Sequence, residues 1–190
     1  MSGAMERIAV VGSGGSGKTY VSRALGRMLD IPVTHLDAVY YDQDWHPLPA
    51  EQFAARQRDM VSGDRWVIDG NHYATLPIRR AVCDTVVMMD VPTTSALLGV
   101  LWRQLRHGAG HHANGVHNRL NLGVLRYVVT YRRRMRPRMI AEMAHVAEGV
   151  DVVRLTSRRR ARRWLRELSE RRSMRSAHDA RPTACRGDDQ

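Results

Sequence analysis

Lysine is almost missing from this chain. Of its 30 basic residues, 29 are arginine and one, Lys18, is lysine. Long apolar runs are missing too: none approaches the ~18 residues that would suggest a membrane span. The first residues, Met1 to Arg7, lead directly into a short apolar run without the extended apolar core of a secretory leader, so a cytoplasmic location is expected. Cysteine is scarce. Cys83 and Cys185 lie far apart without further ligands at metal spacing, which argues against a disulfide framework or a zinc knuckle and for two free thiols. Acids are absent from residues 103–138, where nine arginines stand without an Asp or Glu. Residues 158–190 hold eleven arginines against five acids. These segments carry +9 and +6 of a net +11, so the remainder carries 11 − 15 = −4. The positive charge is local, and such segments attract phosphate, whether on a nucleotide, a nucleic acid or a surface.

The length suits one domain with a buried core. Short β-branched or apolar runs at 8–11, 33–36, 66–68, 85–89 and 150–155 read as strands, and most are buried on both faces. Between them the spacing predicts helices over 18–30, from Pro49 to about Ser62, around 76–81, after Thr93 or Thr94, on both sides of Pro137, and from Ser157 to about Arg172. Residues 38–49 read as a loop and 107–118, rich in His, Gly and Asn, as a mobile stretch. Alternation of this kind makes an α/β fold with a parallel sheet covered by helices on both faces. Residues 1–172 are expected to form one domain, with a lid over 103–138, and 173–190 a basic, disordered tail.

The strongest motif is Gly12-Ser13-Gly14-Gly15-Ser16-Gly17-Lys18-Thr19, which fits G-x-x-x-x-G-K-[ST] between a strand and a helix. Glycines let the backbone wrap an anion, and the freed amides with the positive end of the helix hold phosphate. Lys18 is expected on the β- and γ-phosphates of ATP and the Thr19 hydroxyl on Mg²⁺. A compact ammonium suits phosphates already wrapped by backbone better than a planar guanidinium does. The chain's only lysine stands there.

Ligands in parallel sheets bind beyond the carboxyl ends of the strands. Asp37, Asp69 and Asp90 end three of the apolar runs. Asp69 is expected to bear on metal, and Asp37 to orient or deprotonate an acceptor hydroxyl. Gly70 and Asn71 follow Asp69 and are expected at the substrate, while Arg79 and Arg80 are candidates to grip an acidic acceptor. Transfer of a phosphoryl group requires mobile cations and exclusion of water. Arg103 and Arg106, three apart on a helix, are the first lid candidates for catalysis, followed by Arg119 and Arg126. His35, Tyr40, Tyr41, Trp45 and His46 are candidates to line the acceptor pocket. The histidines at 107, 111, 112 and 117 lack metal-ligand spacing. With one lysine in the chain there is no N-K-x-D motif, which excludes a Ras-type GTPase.

The P-loop, His35-Leu36-Asp37 and Trp66-Val67-Ile68-Asp69-Gly70-Asn71 together resemble the adenylate-kinase-like P-loop proteins often labelled topology modulation proteins. The resemblance covers about residues 6–170 and implies a P-loop NTPase fold with a five-stranded parallel sheet of order 2-3-1-4-5, an ATP site and an arginine-bearing lid. Two functions are weighed. The first is an ATP-dependent phosphotransferase acting on a small nucleotide or hydroxylated metabolite. The second is an ATP-binding regulator associated with nucleic acid through its arginine segments. No membrane partner is expected, and the residues do not fix an oligomeric state.

Overall fold

The computed structural model describes residues 5–42, 44, 46–107 and 122–179, apart from the side chains of residues 106, 107 and 175–179. Five parallel strands, β1 (Arg7–Gly12), β2 (Val33–His35), β3 (Trp66–Asp69), β4 (Thr85–Met89) and β5 (Asp151–Leu155), form one sheet in the order β2-β3-β1-β4-β5. This is the order the resemblance implies. Around it run α1 (Lys18–Leu29), α2 (Leu36–Tyr40), α3 (Ala50–Val61), α4 (Leu76–Arg80), α5 (Thr93–His107), α6 (Leu122–Arg134), α7 (Arg136–Ala144) and α8 (Arg158–Asp179).

The strands are apolar at successive residues because both faces of the sheet are covered. In β1, Ile8 and Val10 point into one core with Val21 and Leu25 of α1, Val100 of α5 and Trp164 and Leu165 of α8. Ala9 and Val11 point to the other side, against Leu36, Phe53, Leu76 and Met139. One β-strand thus feeds two cores through its period of two residues.

The boundaries follow the sequence closely, with two differences. The stretch after β2 begins as helix α2 instead of loop. The last helix also continues seven residues beyond Arg172, to Asp179, so the first part of the expected tail is helical. Pro137 sits in the first turn of α7, where its missing amide costs nothing. Most of the stretch expected to be mobile, and residues 180–190, lie outside the described residues. Among the described residues no helix is long and apolar enough to cross a membrane.

Candidate functional site

β1 ends at Gly12, and the chain turns through the glycine loop into α1. The helix starts at Gly17 without a side-chain cap, so its first amides keep no protein partner of that kind. Among the described residues no protein oxygen accepts from the amides of Gly14, Gly15, Gly17, Lys18 or Thr19. Gly15 has φ +71°, and a Cβ there would collide with the Ala96 carbonyl and Val100. Only glycine closes the loop this tightly against α5. Lys18 Nζ donates to the Ser13 carbonyl at 3.0 Å, so the ammonium already lies over the loop.

Asp69, 5% exposed, stands at the end of β3. Its Oδ2 accepts from Thr19 Oγ1 at 3.1 Å and from Ser22 Oγ at 3.4 Å, and meets His35 Nδ1 at 3.0 Å. Oδ1 has no protein partner among the described residues. The expected Thr19 and Asp69 are therefore brought together. His35 belongs with them and not, as expected, to the acceptor wall.

Asn71 links the next layer. Its Oδ1 accepts from the Gly12 amide at 2.8 Å, and its Nδ2 donates to the Tyr127 hydroxyl of α6 at 2.6 Å. The expected contact with substrate is replaced by a structural one, because both ends of the amide are engaged. Arg79 also departs from expectation. It is fully buried and donates to the carbonyls of Gly70 at 2.7 Å and Asn71 at 2.9 Å. Burial lowers its guanidinium to about 10, against the raising charge of Asp69. It supports the turn after β3 and cannot reach an acceptor. Arg80 meets Glu142 at 3.2 Å and the carbonyls at the end of α7, so its charge is spent on α7.

Asp37, in the first turn of α2, faces the loop. Its Oδ1 accepts from His72 Nε2 at 3.1 Å. Loss of hydration alone would raise its pKa. The His72 hydrogen bond and the charges of Lys18, His72 and Arg103 outweigh that and hold the carboxyl below its ordinary value. Arg103, on α5, is one of the charges that act on Asp37. Burial pulls the Arg103 guanidinium down while Asp37 pushes it up. The Arg106 side chain and Arg119 lie outside the described residues.

His72 was not legible as a functional residue. Its backbone has φ 26°, a conformation that non-glycine residues rarely adopt. Its ring packs 4.8 Å from that of Tyr40 and 4.7 Å from that of Phe53. The residue directly after the Asp69-Gly70-Asn71 turn is thus aimed at Asp37. His46 turns instead to Asp42, at 3.7 Å, and Trp45 lies outside the described residues.

Two arginine systems hold the frame. Asp90, 5% exposed, accepts from Arg136 Nε at 2.7 Å and Nη2 at 2.9 Å and from Arg154 Nε at 2.8 Å. Desolvation raises the Asp90 pKa, but the two guanidinium groups outweigh it and hold it low. Arg158 Nη2, the first residue of α8, donates to the Gly15 carbonyl at 2.7 Å and the Ser95 carbonyl at 2.9 Å. It fits only because Gly99 has no side chain: a Cβ there would collide with the guanidinium. Arg159, Arg160, Arg162, Arg163 and Arg166 of the same helix are exposed. A groove of about 530 Å³ between α1 and α8, lined by Tyr20, Ala24, Met28 and Leu165 among others, shares no residue with the phosphate cradle.

No protein family matches the chain by sequence profile, and no curated protein matches it. Solved structures do. A shikimate kinase from Acinetobacter baumannii, solved in complex with shikimate, is 17% identical and aligns with a TM-score of 0.51 over 90% of this chain and 95% of its own. A shikimate kinase from Bacteroides thetaiotaomicron is 18% identical, with a TM-score of 0.52 over 90% of this chain and 99% of its own. The topology modulation label finds no support in these comparisons, and neither does a nucleic-acid partner. What the likeness shows is the fold: an α/β P-loop domain whose five-stranded parallel sheet has the order seen in these kinases.

Proposed function

We propose that the protein is a phosphotransferase that moves the γ-phosphoryl group of ATP to a hydroxyl of a small acceptor. The observation that supports it best is the position of Asp37. A carboxylate held in its charged form faces the chain's single lysine and a lid arginine at the open end of the glycine loop.

The residues suit a magnesium-bound polyphosphate. Five loop amides have no protein partner among the described residues, a Cβ at Gly12 or Gly15 would collide with neighbouring backbone, and the Thr19 hydroxyl and Asp69 carboxylate supply the oxygen ligands that a hard cation prefers. Thr19 and, through water, Asp69 would hold the ion, which would neutralise charge on the phosphate oxygens. Asp37 receives the acceptor's hydroxyl proton as that oxygen bonds to the γ-phosphorus and the bond to the β-phosphate breaks, releasing ADP. Lys18 and Arg103 face the negative charge that builds on the transferred group. His72 fixes the Asp37 rotamer and leaves Oδ2 for the acceptor. The glycine loop and α1 hold the nucleotide still, so the reaction gains chiefly from position and charge.

Calorimetry with ATP and ADP in magnesium buffer tests the nucleotide half, with binding expected for both. ADP release in the presence of hydroxylated acceptors tests the transfer half. Nucleotide binding without any acceptor-stimulated release would leave a binding protein in place of an enzyme.

A further inference from the structure

Most of the described chain keeps its large apolar residues inside, but one face does not. On α5, Ala96 and Val100 turn inward, against Gly15 of the loop and into the core that also takes Val128 of α6. Leu98, Leu101, Trp102 and Leu105 follow at i, i+3, i+4 and i+7, one stripe on the side away from that core. α6 packs beside α5 and adds Leu122 and Val129, seven residues apart. These six side chains are 44–85% exposed. Single exposed leucines are ordinary, but a stripe of them around a tryptophan marks a contact surface. α5 is apolar on both sides, which is the pattern of a helix covered on both sides.

The chain itself holds little to cover this face. The two long segments outside the described residues, 108–121 and 180–190, contribute Val116 and Leu120 as their only large apolar residues. Charge narrows the choice of partner. Arg126 and Arg133 stand in line with Leu122 and Val129 at helical spacing, Arg132 lies beside them, and all three are exposed. Residues 103–138 contain no acid, and none of the three forms an ion pair among the described residues. A second copy of the chain would set arginine against arginine over such a face. A nucleic acid would leave the leucines and the indole in water. An anionic lipid surface answers both features, because indole and leucine settle at the headgroup boundary and lipid phosphates meet the guanidinium groups. The expectation of no membrane partner came from the absence of a span, and no described helix is long and apolar enough to cross. A face that lies on the surface needs no span.

We propose that the outer face of α5 and α6 docks the protein on an anionic lipid surface, with Leu98, Trp102 and Leu105 at the acyl boundary and Arg126, Arg132 and Arg133 on the lipid phosphates.

Flotation of the full chain with vesicles tests it. Binding is expected to vesicles of equal phosphatidylglycerol and phosphatidylcholine, at least about tenfold tighter than to phosphatidylcholine alone, and weaker as salt is raised. The vesicles should also shift tryptophan emission to the blue, because Trp66 and Trp164 are already buried and Trp102 is not. In Trp102→Phe most of that shift should go while flotation stays. Leu98→Gln with Leu105→Gln is expected to weaken binding at least about tenfold, and Arg132→Gln with Arg133→Gln about as much. Circular dichroism checks that these surface variants fold. No flotation with the anionic vesicles, or no preference for them, overturns the proposal. Flotation that neither double variant weakens also overturns it, since the contact then lies elsewhere, such as the arginines of α8. Sedimentation velocity without lipid should show a monomer. A dimer that Leu98→Gln with Leu105→Gln dissociates would give the face to a second copy and overturn the lipid assignment.

Discussion

The two sides of the cleft are built from different materials. The phosphate side is backbone: glycine amides, one ammonium and one hydroxyl, all within eight consecutive residues. The side proposed to hold the acceptor is side chain, drawn from α2, α3 and the turn after β3, with Arg79 turned away onto two carbonyls and Arg80 onto Glu142. A site made of backbone repeats its chemistry whatever surrounds it. A site made of side chains takes its meaning from which neighbours have already used each charge.

That contrast can be broken at several points. Lys18→Ala removes the one mobile charge of the backbone-built side, and kcat is expected to fall on the order of 10³-fold while the fold survives. An activity assay paired with circular dichroism checks both parts. Arg79→Leu strikes the other side through structure. It orphans two buried carbonyls, so unfolding in urea is expected about 3 kcal/mol earlier, and magnesium–ATP affinity should change little once the protein is folded. Asp37→Asn is expected to lower kcat on the order of 10²-fold with nucleotide affinity intact, as measured by calorimetry beside turnover.

The pH profile sharpens the comparison further. The carboxyl of Asp37 is held below its ordinary value, so it stays charged until the pH has fallen beneath the usual carboxylate range. The acid limb of kcat/KM is therefore expected at unusually low pH, within the range where the protein stays folded. His72→Ala removes a hydrogen bond and a charge that lower this pKa, so the limb should move up toward the ordinary value. An unmoved limb would show that His72 is mere packing. The smallest effect is at the junction of the two halves: Arg158→Ala loses two charge-assisted bonds to carbonyls, about 1–2 kcal/mol in denaturant melts.

Much of this architecture could be read in advance. The glycine motif, Thr19 with Asp69, and Asp37 facing the loop followed from motif, strand ends and charge type, because each depends on local order along the chain. Arg79 and Arg80 did not follow. Their spacing after β3 is the same whether they point at a ligand or at the Gly70 carbonyl, and only the packed turn decides. Nothing near His72 announces its strained backbone, and Asn71 reads as a substrate contact until α6 brings Tyr127 to it. Arg158 was hidden among eight other arginines of its helix, and its role depends on a missing side chain at Gly99, 59 residues earlier.

The bond from Arg158 to Gly15 also sets an order of events. Residues 12 to 19 leave the ribosome well before the clasp that ties their bend to the neighbouring helix, which is synthesised more than 130 residues later. A nascent chain holds the glycine motif long before it holds the part that braces it. Ribosome-bound chains stopped before and after that arginine would therefore differ in how firmly they retain the proposed nucleotide.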